Sequence, residues 1–299
     1  MAPAPVAVFA FRRPEHLTRC LESLRACAEA ASTDLVVFCD GPRGPEDEDG
    51  VAQVRAVARS AAGFASVRTI EQETNLGLAA SLIAGVSRML EDHDRVVVVE
   101  DDLVVSSDFL RFMNEGLDLY ADDDRVASIH GFCYSVSEDL PTTFFLRGAD
   151  CWGWATWRRA WAVFDADGAR LLQRLRDEGS EDAFDLDGAY PYTAMLQDQV
   201  AGRVDSWAVR WRASTFLAGM LTLWPGRSLV QNIGQDGSGT HSIPTVSLAS
   251  DAGLFPWPLE RIPVEESAAA RAVIASTTRR DRDTWRARIG ALLGRGRRR

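Results

Sequence analysis

The stretch VVVVEDD, residues 96–102, places three consecutive carboxylates directly after four valines. An apolar run without alternation is typical of a central parallel strand that helices cover on both faces. Open α/β sheets bind their ligands outside the carboxyl ends of the strands. The stretch therefore predicts a buried strand whose end presents Glu100, Asp101 and Asp102 to a crevice.

Three adjacent carboxylates repel one another, and burial makes their charges still more costly. A divalent cation would compensate them. Mg²⁺ or Mn²⁺ prefers oxygen ligands, and a cation held by one or two carboxylates takes its other ligands from phosphate and water. A solvated acidic turn, as expected at residues 122–124, is the alternative for such a triplet. The buried strand before residue 100 favours the metal site.

The sequence on both sides of this stretch alternates between strand and helix patterns. Residues 6–11 and 35–39 predict two strands, and Pro14 suits the first turn of the helix between them. Further elements are predicted over 66–70 (strand), 78–90 (helix), 108–120 (helix) and 126–130 (strand). This order predicts an α/β fold with a mixed, mainly parallel sheet flanked by helices in a single domain. Asp40, after the second strand, should face the same crevice as the acid triplet.

Composition excludes several classes of protein. The chain has 299 residues, of which 46% are hydrophobic, so it can bury a sizeable core. A net charge of -10 argues against nucleic acid as a partner. The absence of a signal peptide and of an apolar run of roughly 20 residues leads us to expect a cytoplasmic location. The five cysteines form no CxxC pair, which predicts buried reduced thiols.

Several segments together resemble one family. VVVVEDDLVVSSDFLRFM (96–113) resembles the metal-site segment of GT-A fold glycosyltransferases, most specifically the N-acetylglucosaminyltransferase I type. The segments at 6–24, 38–44 and 148–161 resemble that family's first strand and helix, its nucleotide-binding second strand and its Gly-Trp acceptor-side segment. The order NLGLA, VVVEDD, CWGWATW, DSW and NIGQDGSGTH is similar to bacterial enzymes of this type. The resemblance, over about residues 5–165, implies a Rossmann-like GT-A fold and sugar transfer from a nucleoside-diphosphate donor, with a UDP-sugar favoured.

The resemblance also implies roles for individual donor-site residues. Asp102 would coordinate Mn²⁺ or Mg²⁺ in a DXD-like motif. Glu100 and Asp101 would contact the ribose and base of the nucleotide or order the waters of the metal. Asp40 would accept a hydrogen bond from the base. The remaining donor-site candidates are Arg12, Arg13, Asn75 and Gly77.

Transfer with inversion requires a general base that takes the proton of the acceptor hydroxyl. A carboxylate in a partly dry, aromatic-lined place suits this task, because burial raises its pKa toward the working pH. Asp205, in VDSWAVRW (204–211), resembles the family's Asp-Trp segment, although Ser206 stands where the family has a second acid. Asp198 is the rival candidate.

Two aromatic or glycine-rich segments have alternative roles. Residues 231–241 are expected to form a loop that closes over the diphosphate. His241 would complete the metal shell or touch phosphate, unless it is a loop histidine without a ligand. Trp152, Trp154 and Trp157 suit stacking on sugar rings, but core packing is the expected role for each tryptophan taken singly.

The chain divides into three functional parts by these assignments. Residues 1–130 would bind the nucleotide-sugar donor, residues 131–250 would hold the acceptor and the catalytic base, and residues 251–299 would form an extension with a basic tail. The tail suits peripheral contact with the inner face of an anionic membrane, and solvated disorder is its alternative. The acceptor stays open between a glycan, a lipid-linked molecule and a small molecule.

Two other functions compete with sugar transfer. A sugar-nucleotide pyrophosphorylase would need a glycine-rich, basic signature after the first strand, where this chain has FAFRRPEH. A non-catalytic module that binds a nucleotide-sugar or a carbohydrate would keep the acid triplet and lack a working base.

Overall fold

The computed structural model describes residues 2–234 and 251–295, with side chains described up to residue 281. Its strands are β1 (Val6–Ala10), β2 (Asp34–Cys39), β3 (Ser66–Glu71), β4 (Arg95–Glu100), β5 (Leu103–Val105), β6 (Val126–His130), β7 (Thr143–Arg147), β8 (Trp154–Trp157), β9 (Leu221–Pro225) and β10 (Val230–Asn232). Its helices are α1 (Pro14–Arg25), α2 (Pro45–Ser60), α3 (Leu78–Asp92), α4 (Phe109–Leu119), α5 (Arg158–Trp161), α6 (Gly168–Asp177), α7 (Glu181–Phe184), α8 (Tyr192–Val200), α9 (Trp207–Leu217) and α10 (Ala268–Arg295).

Eight strands form one mixed sheet in the order β3-β2-β1-β4-β8-β6-β9-β7. The first four are mutually parallel, β6 and β9 are parallel, and the other neighbouring pairs are antiparallel. A separate ribbon pairs β5 with β10. The α/β fold with a mainly parallel sheet, predicted from the sequence, is confirmed.

The strands and helices predicted around the acid triplet occur close to their predicted bounds. The long helix α2 was missed, because residues 46–49 drew attention only as acids. Those acids follow Pro45 in the first turn of α2, where negative charge is stabilised by the helix dipole and proline costs no hydrogen bond. The strands β7 to β9 were also missed, since aromatic residues and glycines hide their alternation.

The carboxyl ends of three adjacent strands meet at one edge of the sheet. The amide of Asp40, after β2, donates to the carbonyl of Ala10 at 2.9 Å, and the amide of Asp101, after β4, donates to the carbonyl of Phe9 at 3.0 Å. Asp40, the arginines that follow β1 and the acid triplet therefore share one edge, as the strand order predicts.

The proposed donor and acceptor halves share this sheet, because β4 pairs with β8 over Arg95–Val98 and Trp154–Trp157. A tryptophan cluster packs against β8. Its members are Trp154, Trp161, Trp207 and Trp211, with ring centroids 5.0 to 5.9 Å apart in the contacting pairs. This cluster fixes α5 and α9 against the middle of the sheet.

The cysteines are free thiols, and four of the five are buried, as the sequence predicts. The described end of the chain, from Ala268 to Arg295, is helical and forms α10. Among the described residues, no helix combines the length and apolar character needed to cross a membrane. Contact of the tail with a membrane surface stays a prediction.

Candidate active site

Arg13 forms ion pairs with two carboxylates of the acid triplet at the end of β4. One guanidinium nitrogen, Nη2, contacts the carboxylate of Asp101 and donates to Oδ2 of Asp102 at 3.0 Å. Asp101 is only 3% exposed, whereas the Asp102 side chain is 17% exposed and is the more accessible of the two. Nη1 of Arg13 is buried and has no partner among the described residues. The structure thus brings three predicted donor-site residues together and leaves one donor of Arg13 for a ligand.

Two carboxyl groups of the triplet, those of Glu100 and Asp101, have raised pKa values. Burial, together with the negative charges of Asp102 and Asp101, raises the pKa of Glu100 to about 8. Burial also raises the pKa of Asp101 to about 6, although Arg13 opposes this shift. Arg13 itself is desolvated, which would lower its pKa, but the two aspartates outweigh burial and raise it. A positive ligand at this edge would relieve the repulsion.

A divalent cation fits the chemistry of this triplet. The carboxylate oxygens are hard ligands, and Asp102 is more accessible than Asp101, so one or two protein carboxylates would hold the cation and substrate phosphate would supply other ligands. In the described part of the chain, no three His, Cys, Asp or Glu side chains are arranged to hold a metal by themselves. His241, the other predicted metal ligand, lies outside the described residues.

The glycine-rich segment starts against the triplet. β10 pairs with β5, the amide of Ile233 donates to the carbonyl of Asp102 at 2.8 Å, and a Cβ on Gly234 would lie 2.4 Å from Oδ2 of Asp102. Only glycine fits so close to the carboxylate. The segment that was expected to cover the diphosphate therefore begins beside Asp102, although residues 235–250 lie outside the described part.

Arg12 faces a different partner from Arg13. Its Nη1 donates to Oδ1 of Asp47 at 2.8 Å, and Nε of Arg43 donates to Oδ2 of the same carboxylate at 2.7 Å. The hydrogen bond from Arg43 is the main reason that the pKa of Asp47 falls to about 2. Arg12 and Arg43 therefore share the carboxylate of Asp47, and the Arg43 guanidinium lies 5.1 Å from the ring of Phe11.

Asp40 holds the loop that precedes α3. It is 4% exposed, and its carboxylate accepts hydrogen bonds from the amides of Leu76 (2.8 Å) and Gly77 (3.0 Å) and from Nδ2 of Asn75 (3.0 Å). Gly77 has φ of +80°, a conformation that favours glycine. Asp40, Asn75 and Gly77 thus lie in contact. The buried carboxylate of Asp40 holds the loop in place through these hydrogen bonds. Its contact with a base stays a prediction.

Replacing Asp40 by alanine is expected to lower the free energy of unfolding by about 2–4 kcal/mol without any nucleotide present, because it leaves buried donors unpaired. Denaturant unfolding of the ligand-free protein measures this change. Asp94→Ala is the matched control: its side chain is 90% exposed, and the expected change stays within about 0.5 kcal/mol. Equal effects of the two substitutions would show that Asp40 does not hold the loop.

Asp205 and Asp198, the predicted bases, occupy exposed positions. The Asp205 side chain is 65% exposed and lies 3.4 Å from Nη2 of Arg210, whereas that of Asp198 is 44% exposed and pairs with Arg203. Asp205 does lie near the donor loop, since its Oδ2 is 3.8 Å from where a Cβ of Gly77 would be. The dry, aromatic-lined surroundings expected for the base are not observed at either residue.

The tryptophans of the Gly-Trp segment divide into packed and accessible ones. Trp154 is fully buried in the tryptophan cluster, and Trp157 is 5% exposed with Arg159 over its ring at 4.4 Å. Both have the expected core role. Trp152 is partly exposed and contacts Phe132 edge-on at 4.7 Å, so it is the one of the three that a sugar ring could reach.

A further group of polar residues, missed by sequence reasoning, lies beside the triplet in the acceptor half. We call it the acceptor cluster: His130, Asp150, Tyr190, Tyr192 and Arg212. Burial and then the charge of Asp150 raise the pKa of Tyr190, to about 12. Burial raises the pKa of Cys151, to which the charges of Asp150, Glu100 and Asp102 all add. Cys151 is therefore within electrostatic reach of both the acid triplet and Asp150.

The acceptor cluster is enclosed by aromatic rings. Tyr134 stacks against Trp224 with centroids 6.1 Å apart, and His130 lies 4.3 Å from the same tryptophan. Burial lowers the pKa of His130 to about 4, so its ring is neutral at pH 7. Asp150 is half-buried, and its Oδ1 accepts from the amide of Cys151 at 2.7 Å. Its place in the Gly-Trp segment, residues 148–161, was the one signal that could have found it.

A parallel half-sheet with carboxylates and arginines at its carboxyl edge, joined to an aromatic acceptor-side half, defines a glycosyltransferase of the GT-A type. The chain belongs to the family described as "Glycosyltransferase like family 2", whose model matches residues 2–164, more than half of the chain. The N-acetylglucosaminyltransferase I type of specificity is a finer statement than this family membership.

Solved structures similar to the chain match it only in part. One is the mannosyltransferase PcManGT of Pyrobaculum calidifontis in complex with GDP-Man and Mn²⁺, with 18% identity, 43% of this chain and 37% of that chain covered, and a TM-score of 0.32. Another is TarS of S. aureus, with 15% identity, coverages of 50% and 25%, and a TM-score of 0.33. A putative glucose-1-phosphate thymidylyltransferase of Bacillus anthracis, in complex with a sucrose, has 10% identity, coverages of 55% and 75%, and a TM-score of 0.35. Similarities this partial indicate no substrate.

Proposed function

We propose that the chain is a metal-dependent, inverting glycosyltransferase that uses a nucleoside-diphosphate sugar, with a UDP-sugar such as UDP-N-acetylglucosamine as the first donor to test. The observation that supports it is the meeting of the acid triplet, Arg13 and the Asp40 loop at the carboxyl edge of the parallel strands. Family membership favours transfer over the pyrophosphorylase alternative. A purely binding module would not need a carboxylate in the aromatic acceptor cluster.

Asp102 would hold Mn²⁺ or Mg²⁺, and this cation would neutralise the charge of the departing nucleoside diphosphate. Arg13 would also help to neutralise the charge of the diphosphate, since its Nη1 has no partner in the described residues. Arg12 and Arg43 add positive charge beside Phe11, where a base or phosphate could lie. The loop of Asn75 and Gly77 would bound the donor on the side away from the triplet.

The transfer itself forms one bond and breaks one. The oxygen of the acceptor hydroxyl bonds to the anomeric carbon, the bond from that carbon to the diphosphate breaks, and a carboxylate takes the hydroxyl proton. Asp150 meets the criteria for this base better than Asp205 or Asp198, because it is half-buried and lies within electrostatic reach of Tyr190 and of the buried Tyr192. Asp205, near Gly77, stays the competing candidate.

The test is thermal unfolding of the purified chain with UDP, GDP, dTDP and CMP, each with Mn²⁺ or with EDTA. Ligands that bind the native state raise its melting temperature. One nucleotide is expected to stabilise the chain only with Mn²⁺, which identifies the donor nucleotide and its metal dependence. If no nucleotide shifts the melting temperature in either condition, the transferase proposal fails.

A further inference from the structure

Arg212, on α9, is a buried cation for which the chain provides no acceptor in its described part. The residue is 5% exposed, and its Nε is buried without a hydrogen-bond partner. No ion pair or side-chain hydrogen bond joins its guanidinium to any acceptor within residues 2–234 and 251–281. Its contacts are the rings of Tyr192, 3.8 Å from the guanidinium carbon, and Phe184, at 5.8 Å.

Other arginines that are largely buried in the same half have their donors filled. Arg210, two residues earlier on α9, donates to the carbonyls of Ser206 (3.0 Å) and Ala166 (3.3 Å) and lies 3.4 Å from Asp205. Arg159 donates to three backbone carbonyls at 2.9 to 3.2 Å. Arg212 differs from these, so its burial is not explained by bonds to the chain.

The nearest acids are engaged elsewhere. Asp185 accepts from the amide of Thr193 at 2.6 Å and from its hydroxyl at 2.8 Å, and it forms no ion pair with Arg212. Asp150 accepts from the amide of Cys151. Arg212 lies within electrostatic reach of Asp185 and of three members of the acceptor cluster, His130, Tyr190 and Tyr192.

The energetic balance leaves Arg212 under-compensated. Removing a cation from water is costly, and a cation–π contact returns only part of that cost. An oxyanion would close this gap, because the planar guanidinium offers two parallel donors that match a carboxylate or a phosphate. A neutral ligand would leave the charge uncompensated.

We propose that Arg212 binds an anionic group, a phosphate or a carboxylate, on the acceptor substrate. The inference rests on the proposed function in that it takes the acceptor cluster as the acceptor site. It restricts the acceptor to sugars or lipid-linked sugars that have a negative charge near the hydroxyl that is glycosylated. The ring of Tyr192, which lies against the guanidinium of Arg212, would hold that group in place.

The experiment compares three sugars that differ only in charge group: glucose 6-phosphate, D-glucuronate and glucose. Binding of each is measured by thermal shift and by titration of tryptophan fluorescence, with no nucleotide present. At least one anionic sugar is expected to bind wild type more tightly than glucose does, and Arg212→Gln is expected to weaken that binding about tenfold or more, the effect of one charge-assisted hydrogen bond. The stronger of the two anions identifies whether the group is a phosphate or a carboxylate.

Arg147→Gln is the matched control, since Arg147 also stacks on a ring of the same half, 4.0 Å from Phe216, but has a carbonyl partner at 3.0 Å. It should bind the anionic sugar as wild type does. If Arg212→Gln does not fold, Arg212→Lys takes its place. This variant should bind the anionic sugar more weakly than wild type does, because lysine keeps the charge but lacks the two parallel donors of the guanidinium.

The inference is overturned if the anionic sugars bind no better than glucose, or if they bind the Arg212 variant as tightly as wild type. These outcomes are independent of the nucleotide panel, because the titration needs no donor. Failure of the nucleotide panel with an Arg212-dependent anion effect would reject the transferase and keep the anion site.

Discussion

Replacing Asp102 by alanine is expected to abolish metal-dependent stabilisation by the nucleotide and to lower kcat/KM by roughly 10³-fold or more. Several kcal/mol of charge stabilisation in the transition state depend on the cation, and each 1.36 kcal/mol is about tenfold in rate. Asp102 is more accessible than Asp101, with a side chain 17% exposed at the edge of the sheet. Thermal shift with and without Mn²⁺, and initial rates of donor turnover, measure both effects.

The chain offers a matched control for this substitution in a second run of acids. Asp122 is exposed in the turn after α4 and should tolerate alanine with no change in turnover. The fold should survive Asp102→Ala, because Arg13 keeps its contact with Asp101. A variant that folds and retains metal-dependent nucleotide binding would show that Asp102 is not the metal ligand, and Glu100 and Asp101 would then be tested in turn.

Asp150→Asn is expected to lower kcat by about 10²–10⁴-fold while metal-dependent donor binding stays unchanged. The substitution keeps the shape and the hydrogen bond from the amide of Cys151, but removes the group that accepts the proton. Because the base acts only as the acceptor hydroxyl attacks, the affinity for the donor should not depend on it. Steady-state rates with the best acceptor, or slow hydrolysis of the donor, give kcat, and thermal shift gives binding.

Asp205→Asn and Asp198→Asn test the competing positions under the same assay. Asp205, which is 65% exposed, should lose much less activity than Asp150, and Asp198, paired with Arg203 on an exposed face, should lose almost none. If the large loss follows Asp205 and spares Asp150, then the base belongs beside the donor loop and the role proposed for Asp150 is wrong.

The donor edge could be predicted from the sequence because local patterns determine it. Four valines before three acids define a buried strand with a charged end, and parallel strands bring their carboxyl ends to one edge whatever lies elsewhere. Asp40 followed the same logic, whereas Asn75 and Gly77 were implied by the family resemblance, and the three residues lie together. What the pattern did not contain was the direction of each side chain, so the internal role of Asp40 in holding its loop emerged only from its four bonding partners in space.

The acceptor half resisted prediction for a different reason. Its functional candidates are far apart in the chain, as His130, Asp150 and Arg212 are, and no fixed spacing relates them. The search for a base used an Asp-Trp resemblance and found Asp205. Burial separates Asp150 from Asp205, and burial depends on how β7, β8 and α9 pack.

By itself, the sequence determined the class of fold, the edge at which a ligand is predicted to bind and the carboxylates that are proposed to hold a cation, because strand burial and charge repulsion act between neighbours in the chain. The tertiary structure alone decided which carboxylate is half-buried within electrostatic reach of Tyr190 and Tyr192 and which arginine is buried without an acceptor. Desolvation is a property of the whole packed surroundings: α9 places Arg210 among carbonyls and, two residues later, Arg212 against a tyrosine ring. No local pattern distinguishes these two arginines, and only the packing around them does.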